Sequence, residues 1–306
     1  MNDEMSKEIN KEVNTQAVGI IGLGLMGQAF GKRFHLSGFS TLGFDIDPER
    51  CAEFGKERTT ASALELSEQC QTLVLCLFNS HQIRDVLLGA QGLLTIKREK
   101  PLNIICTSTC EPDEIIEIVM QCNGHPVRFL EMPISGTSKQ VADGDGLGLM
   151  GGDQDLTEAL SPILDAMCKK RMHVGAIGSA SKAKLAINLV LGLHRAALAE
   201  GLVFGSRIGL DPNLLLDLLQ NSAAASSVMK VKGSMMVRRE FDQPQSRVDQ
   251  SLKDFGLIQK LANSKNQPLP LATQYIELLQ SCLDQGEGKQ DNAIILEAIR
   301  RRGEPS

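Results

Sequence analysis

The chain has no tryptophan and one tyrosine among 306 residues, and aromatic residues make up only 4% of it. Single-stranded nucleic acid is held by rings interleaved with basic residues, and that pattern is missing. Positive charge is also short: 32 lysines and arginines stand against 37 acidic residues, a formal net charge of −5. This balance argues against nucleic acid or an anionic membrane as the main partner. The five histidines show neither HxxxH nor HExxH spacing and no cysteine pair forms a CxxC, so no metal site is expected.

An even cysteine count does not by itself make a disulfide framework in a chain this long. Cys51, Cys70, Cys76, Cys106, Cys110, Cys122, Cys168 and Cys282 read as reduced, mostly buried thiols of a cytoplasmic protein. No apolar run reaches membrane-spanning length without a charge, so no membrane span is expected. Residues 1–16 are polar and lack the apolar segment of a secretory signal, which predicts a flexible tail.

What is present is an ordinary globular composition, 42% hydrophobic and 23% charged, in a chain long enough for two domains. Residues 17–21 (AVGII) suit a buried parallel strand. The strand opens into Gly22-Leu23-Gly24-Leu25-Met26-Gly27 and an amphipathic helix, which Gly38 ends. The next strand, residues 41–45, ends on Asp45, 18 residues after Gly27. A bare GxGxxG is weak, but one that follows a strand, opens a helix and is answered by an acid is a dinucleotide fingerprint. Gly22 permits the turn, Gly24 lets the backbone approach a pyrophosphate, and Gly27 lets helix and strand pack closely. The phosphate charge then meets the helix N-terminus.

Strands are predicted over residues 72–77, 103–106, 127–131, 146–151 and 172–174, with helices over 82–88, from Pro112, and over 153–168, where Pro162 breaks the last. Asn79, Ser108 and Thr109 follow strands and are candidate cofactor contacts. After Gly209 only helical periodicity remains, over residues 212–220, 223–239, 246–263, 271–285 and 291–302. The fold class is therefore α/β: a Rossmann-type doubly wound domain over 17–178, then an all-α region over 179–306 that begins with a long interdomain helix.

That helix runs from about residue 181 to 207 without proline, about 40 Å at roughly 1.5 Å per residue. Lys184 and Asn188 share one face among Ala183, Leu185, Ala186 and Ile187. Buried lysine is rare, and burial disfavours its charged form, which suits a general base. A snorkelling lysine at a helix start is the bland alternative.

Four motifs, in order, resemble the β-hydroxyacid dehydrogenase family, whose best-known members act on 3-hydroxyisobutyrate and similar acids. They are the GIIGLGLMG loop, Met132-Pro133-Ile134-Ser135-Gly136-Thr137 with Gly151-Gly152 behind it, Gly178-x-Ala180-x-x-x-Lys184-x-x-x-Asn188, and Leu252-Lys253-Asp254. The resemblance implies an NAD(P)-dependent oxidoreductase that interconverts a small β-hydroxy acid and its semialdehyde or keto form. It implies Lys184 as acid/base with Asn188 beside it, and Ser135, Gly136, Thr137 and Lys253 as contacts for a carboxylate substrate. It also implies a homo-oligomer, dimer or tetramer. Asp45 favours NAD, with NADP possible through Arg50. Glu131 and Met132 stand where the family usually has aspartate and alanine, and Thr137 and Ala180 where it usually has glycine. Retention of the lysine favours carbonyl–alcohol chemistry over imine reduction. Two other readings are a dinucleotide-binding regulatory or scaffolding protein without turnover, and a lysine that forms a Schiff base.

Overall fold

The computed structural model describes residues 17–303. The expected tail, residues 1–16, lies outside them. The chain divides into two compact units between Lys184 and Leu185, inside the long helix rather than at its start.

In the first unit, strands β1 (Val18–Ile21), β2 (Thr41–Phe44), β3 (Thr72–Leu75), β4 (Leu102–Cys106) and β5 (Val127–Glu131) pair in parallel in the order β2-β1-β3-β4-β5. Val18 is paired with Thr41 on one side and Thr72 on the other, so β1 is the strand at which the winding reverses. In such sheets ligands gather at the carboxyl ends beside that strand. The inner strands are apolar along their length because both faces are covered; Ile20, Val74, Leu75, Ile104 and Ile105 are fully buried.

Helix α1 (Leu25–Leu36) connects β1 to β2, and its stop is as expected: Gly38 takes a φ of 79° and Phe39 N–H returns to Phe34 O at 2.9 Å. Helices α2 (Pro48–Phe54) and α3 (Ala63–Gln69), not expected from periodicity, are short and capped by the side chains of Asp47 and Ser62. Helices α4 (Ser80–Leu88) and α5 (Pro112–Gln121) follow β3 and β4.

Beyond β5 the sheet becomes mixed. A two-residue strand, β6 (Ile134–Ser135), and α6 (Ser138–Ala142) precede β7 (Leu147–Gly152), which is antiparallel to both β5 and β6. Pro162 does divide the next helical stretch, into α7 (Gln154–Ala159) and α8 (Ser161–Met167). Strand β8 (Lys170–Gly175), longer than expected, pairs in parallel with β7.

Helix α9 (Ser179–Arg207) is continuous over 29 residues. It is long and apolar enough by length and composition to cross a membrane, yet Leu185, Leu198, Ala199 and Leu202 lie in a core formed with the helices that follow. Those are α10 (Pro212–Asn221), α11 (Ser227–Arg238), α12 (Val248–Ser264), α13 (Pro270–Asp284) and α14 (Ile295–Arg302). A Cβ at Gly192 would lie 2.3 Å from the Phe255 ring, so glycine lets that ring lie against the helix. The ring is tilted on Tyr275 at a centroid distance of 4.5 Å. Lys232 and Asp291 form a buried ion pair at 2.7 Å. Asp291 also accepts from the backbone N–H groups of Gln245, Ser246 and Ala293, so the carboxylate is well supplied with donors.

All eight cysteines are free. Burial pushes the Cys70 and Cys282 thiols up to about 12, which makes them poor nucleophiles.

Candidate functional site

The residues expected to hold a dinucleotide lie at the carboxyl ends of β1 to β4. Gly22 leaves β1 with a φ of 93°, and a Cβ there would lie 2.5 Å from the Cys76 carbonyl oxygen. At Gly27 a Cβ would lie 2.0 Å from the Gly22 carbonyl oxygen, backbone against backbone, so no side-chain movement could relieve it. Gly24 is different: a Cβ would meet only Arg50, at 3.8 Å, so the space above it is open. Gly24 caps α1 without a side-chain bond, and no acid occupies the first turn. Backbone donors and the positive end of the helix there suit a pyrophosphate. Leu23 is buried, Met26 half-buried and Leu25 exposed.

Asp45 follows β2 and is buried. One oxygen accepts from Leu23 N–H at 2.7 Å, the other from Asp47 N–H at 2.9 Å, and Arg50 approaches at 3.4 Å. The acid thus ties the glycine loop to the end of β2. Both oxygens retain acceptor capacity, because a carboxylate has about four lone-pair sites.

Asn79 and Ser108 hold the chain itself. Asn79 caps α4 by accepting from Gln82 N–H at 2.9 Å, and Ser108 Oγ accepts from Leu77 N–H at 2.9 Å. Thr109 is buried beside Ser108. These side chains shape the ends of β3 and β4.

The segment after β5 opens a short helix with a cap of its own. Thr137 stands in a capping box: its N–H donates to Gln140 Oε1 at 2.9 Å, and its hydroxyl accepts from Gln140 N–H at 3.2 Å. Ser135, on β6, and Gly136, with a φ of 155°, are half-buried.

Lys184 is 8% exposed, and its Nζ donates to the Ile134 carbonyl at 2.7 Å. The amine is thus directed to the residue before Ser135. The start of its helix is held by Glu131, the last residue of β5. The Glu131 carboxylate accepts from Gly178 N–H and, at 2.5 Å, from Ser181 Oγ. Burial pushes the Glu131 carboxyl up, while the Ser181 hydroxyl and the backbone N–H groups of Gly178, Ser181 and Ala180 pull it down.

In the second unit Asn188 Nδ2 donates to Asp254 at 2.9 Å, and Asp254 is ion-paired with Lys253 at 2.7 Å. Lys253 is only 15% exposed at its side chain, so it is not a solvated surface lysine.

Sequence reasoning missed Glu131 and Ile134 as functional positions. An acid ending the apolar run Phe129-Leu130-Glu131 was the available signal for the first. A backbone carbonyl leaves none. Among the described residues no group of three or more His, Cys, Asp or Glu could hold a metal.

A family model for the NAD-binding domain of 6-phosphogluconate dehydrogenase matches residues 17–175, and one described as NAD-binding of NADP-dependent 3-hydroxyisobutyrate dehydrogenase matches residues 178–299. The chain is 30% identical to L-threonate dehydrogenase of Escherichia coli (strain K12), over 91% of this chain and 93% of that one. It is 27% identical to the chloroplastic glyoxylate/succinic semialdehyde reductase 2 of Arabidopsis thaliana, over 94% and 81%. The solved 3-hydroxyisobutyrate dehydrogenase from Salmonella typhimurium is 28% identical, with a TM-score of 0.83 over 92% of this chain and 99% of that one.

Proposed function

The chain belongs to the β-hydroxyacid dehydrogenase family of 3-hydroxyisobutyrate dehydrogenase-like enzymes, and we propose that Lys184 is the acid/base group of its reaction. It is an NAD(P)-dependent oxidoreductase acting on a hydroxyl group, which retires the scaffold reading. The substrate is a small β-hydroxy acid or the matching semialdehyde or keto acid. The observation that carries the Lys184 assignment is a buried amine held at 2.7 Å by the carbonyl beside Ser135.

The glycine loop fits the cofactor: Gly22 and Gly27 have no room for a Cβ, and Gly24 leaves the approach open. Gly22, Gly24 and Gly27 would hold its pyrophosphate and Asp45 its ribose, with Leu23, Leu25, Met26, Asn79, Ser108 and Thr109 around them. A nicotinamide bound there would supply the hydride chemistry, as acceptor from an alcohol carbon or donor to a carbonyl. The hydroxyl proton must then leave oxygen as the carbonyl forms, and the neutral Lys184 amine receives it. In reduction the Lys184 ammonium returns a proton to the same oxygen. The Ile134 bond engages one N–H of the amine and holds it beside Ser135. Ser135, Gly136 and Thr137 hold the carboxylate. Asn188 and Lys253 serve to orient the substrate. A Schiff base would need no nicotinamide and is not proposed.

A homo-oligomer fits Phe204, Ile208, Leu214 and Leu218, apolar residues of the second unit that are each more than half exposed. Free thiols fit a reducing compartment such as the cytoplasm.

A screen of L-threonate, 3-hydroxyisobutyrate, glyoxylate and succinic semialdehyde, followed by absorbance of reduced nicotinamide, identifies the substrate class. On the best of these, Lys184→Ala lowers kcat by about 10²-fold or more, with dinucleotide affinity retained and the helix preserved. Lys182→Ala, at an exposed position on the same helix, has little effect. Normal turnover of a folded Lys184→Ala protein would remove the assignment.

Ser135→Ala raises KM for the acid while leaving dinucleotide affinity unchanged. An equal loss of cofactor affinity would show that the segment serves the other ligand.

Steady-state kinetics give a higher kcat/KM with NAD(H) than with NADP(H), because Asp45 repels a 2′-phosphate while accepting from ribose hydroxyls. Equal or better efficiency with NADP(H) would mean that Arg50 receives the phosphate.

Sedimentation velocity gives a mass of two or more chains. A monomer at micromolar concentration would refute the oligomer.

A further inference from the structure

Glu131 lies 1% exposed at the end of β5, outside the reaction just described. A buried acid of this kind is costly unless its oxygens are fully engaged. Its donors come from a single place: Gly178 N–H, the backbone of Ala180 and Ser181, and the Ser181 hydroxyl. These are the first groups of α9, which would otherwise be orphaned at a buried helix start. The helix is thus capped by a residue 47 positions upstream of Gly178 rather than by its immediate predecessor. The positive end of the helix lies at this carboxylate and favours its ionised form, against the burial that pushes it up.

Three residues beyond Glu131, Ile134 offers its carbonyl to Lys184, and Lys184 lies three residues beyond Ser181 on the same helical face. Two anchors therefore join the segment 131–134 to the segment 178–184: the Glu131 carboxylate with its donors, and the Ile134 carbonyl with Lys184. The first fixes where the helix begins and how it is rotated; the second aims the amine. A helix shifted by one residue turns its side chains by about 100° and advances them about 1.5 Å, which would take Nζ away from Ile134. Gly151 completes the arrangement: a Cβ there would lie 2.9 Å from the Glu131 carboxylate and 3.1 Å from Ala180 Cβ.

We propose that Glu131 is a positioning residue for Lys184, setting the register and rotation of α9 so that the lysine amine is held on the Ile134 carbonyl. The consequence for turnover rests on Lys184 being the acid/base group; the geometric effect does not.

The test uses the full chain and limiting acetic anhydride, with the acetylation rate of each lysine read by peptide mass spectrometry. Glu131→Gln removes the charge at nearly constant size and places an amide N–H₂ among donors. Acetylation of Lys184 is expected to rise about fivefold or more as the first turn is released. Lys232, 2% exposed and ion-paired with Asp291, is the control and stays unchanged. An unchanged Lys184 rate overturns the proposal, as does a parallel rise at Lys232, which would mean general loosening. If Glu131→Gln does not fold, Ser181→Ala takes its place. It removes one donor and leaves the backbone ones, and about a twofold rise at Lys184 with none at Lys232 is expected. No rise overturns the proposal.

Kinetics separate this inference from the assignment beneath it. On L-threonate or 3-hydroxyisobutyrate, whichever turns over, Glu131→Gln lowers kcat about tenfold with KM for NAD unchanged, but has no further effect on kcat in the Lys184→Ala background. The same fractional loss in both backgrounds would make Glu131 a merely structural acid. Normal turnover of Lys184→Ala would sink the acid/base assignment and leave the acetylation result standing.

Discussion

A lysine amine at the buried start of a long helix must find an acceptor or be turned out to water. Lys184 finds one in the carbonyl of Ile134, at 2.7 Å. That bond constrains more than the lysine. The carbonyl belongs to a two-residue strand registered against Leu147 and Gly148 of β7, so the acceptor is fixed by the sheet. The donor belongs to a helix whose first turn is capped from β5. Proton transfer needs donor and acceptor within hydrogen-bond reach in the reacting geometry, and only an anchored amine meets that requirement repeatedly.

The same logic of close approach governs the dinucleotide loop, where the constraint is steric. Gly22 has a backbone conformation that side chains avoid and a carbonyl against it, and Gly27 touches the Gly22 carbonyl directly. Neither position is open to alanine without moving backbone. Gly24 has the opposite character, with open space above it. Asp45 then holds the loop to β2 through Leu23 N–H. The acid that selects for ribose hydroxyls in the proposed function is also part of the loop's own scaffold, so its replacement would disturb both at once.

Much of this was legible in the sequence because it depended on side-chain type at fixed spacing. Glycines after an apolar strand, an acid at the end of the next one and a proline inside a helical run each gave the correct local structure. So did the change to purely helical periodicity after Gly209. What stayed hidden depended on backbone groups or on residues distant in the chain. Ile134 acts through its carbonyl, which no side chain announces. Strand β6 is two residues long, too short for any periodicity to announce it or its antiparallel pairing. Thr137 and Gln140 close a capping box that was not read from their spacing. The boundary inside α9 was equally invisible, since nothing in its composition changes at Lys184.

The departures from the family pattern follow a rule that the sequence alone could not show. Glu131 and Met132 are both larger than the residues usual there, and each lies against a glycine of β7. A Cβ at Gly151 would approach the Glu131 carboxylate to 2.9 Å, and one at Gly148 would approach Met132 Cε to 2.6 Å. Ala180, which carries a methyl where glycine is usual, would meet that same Cβ at Gly151 at 3.1 Å. Larger side chains at the end of β5 and at the start of α9 therefore converge on space that β7 leaves vacant. Packing at native density requires such compensation, since interiors have few voids larger than a water molecule. The changes at positions 131 and 180 thus meet at Gly151, beside the first turn of the helix that carries Lys184, while Met132 fills the space at Gly148 on the other face of the sheet.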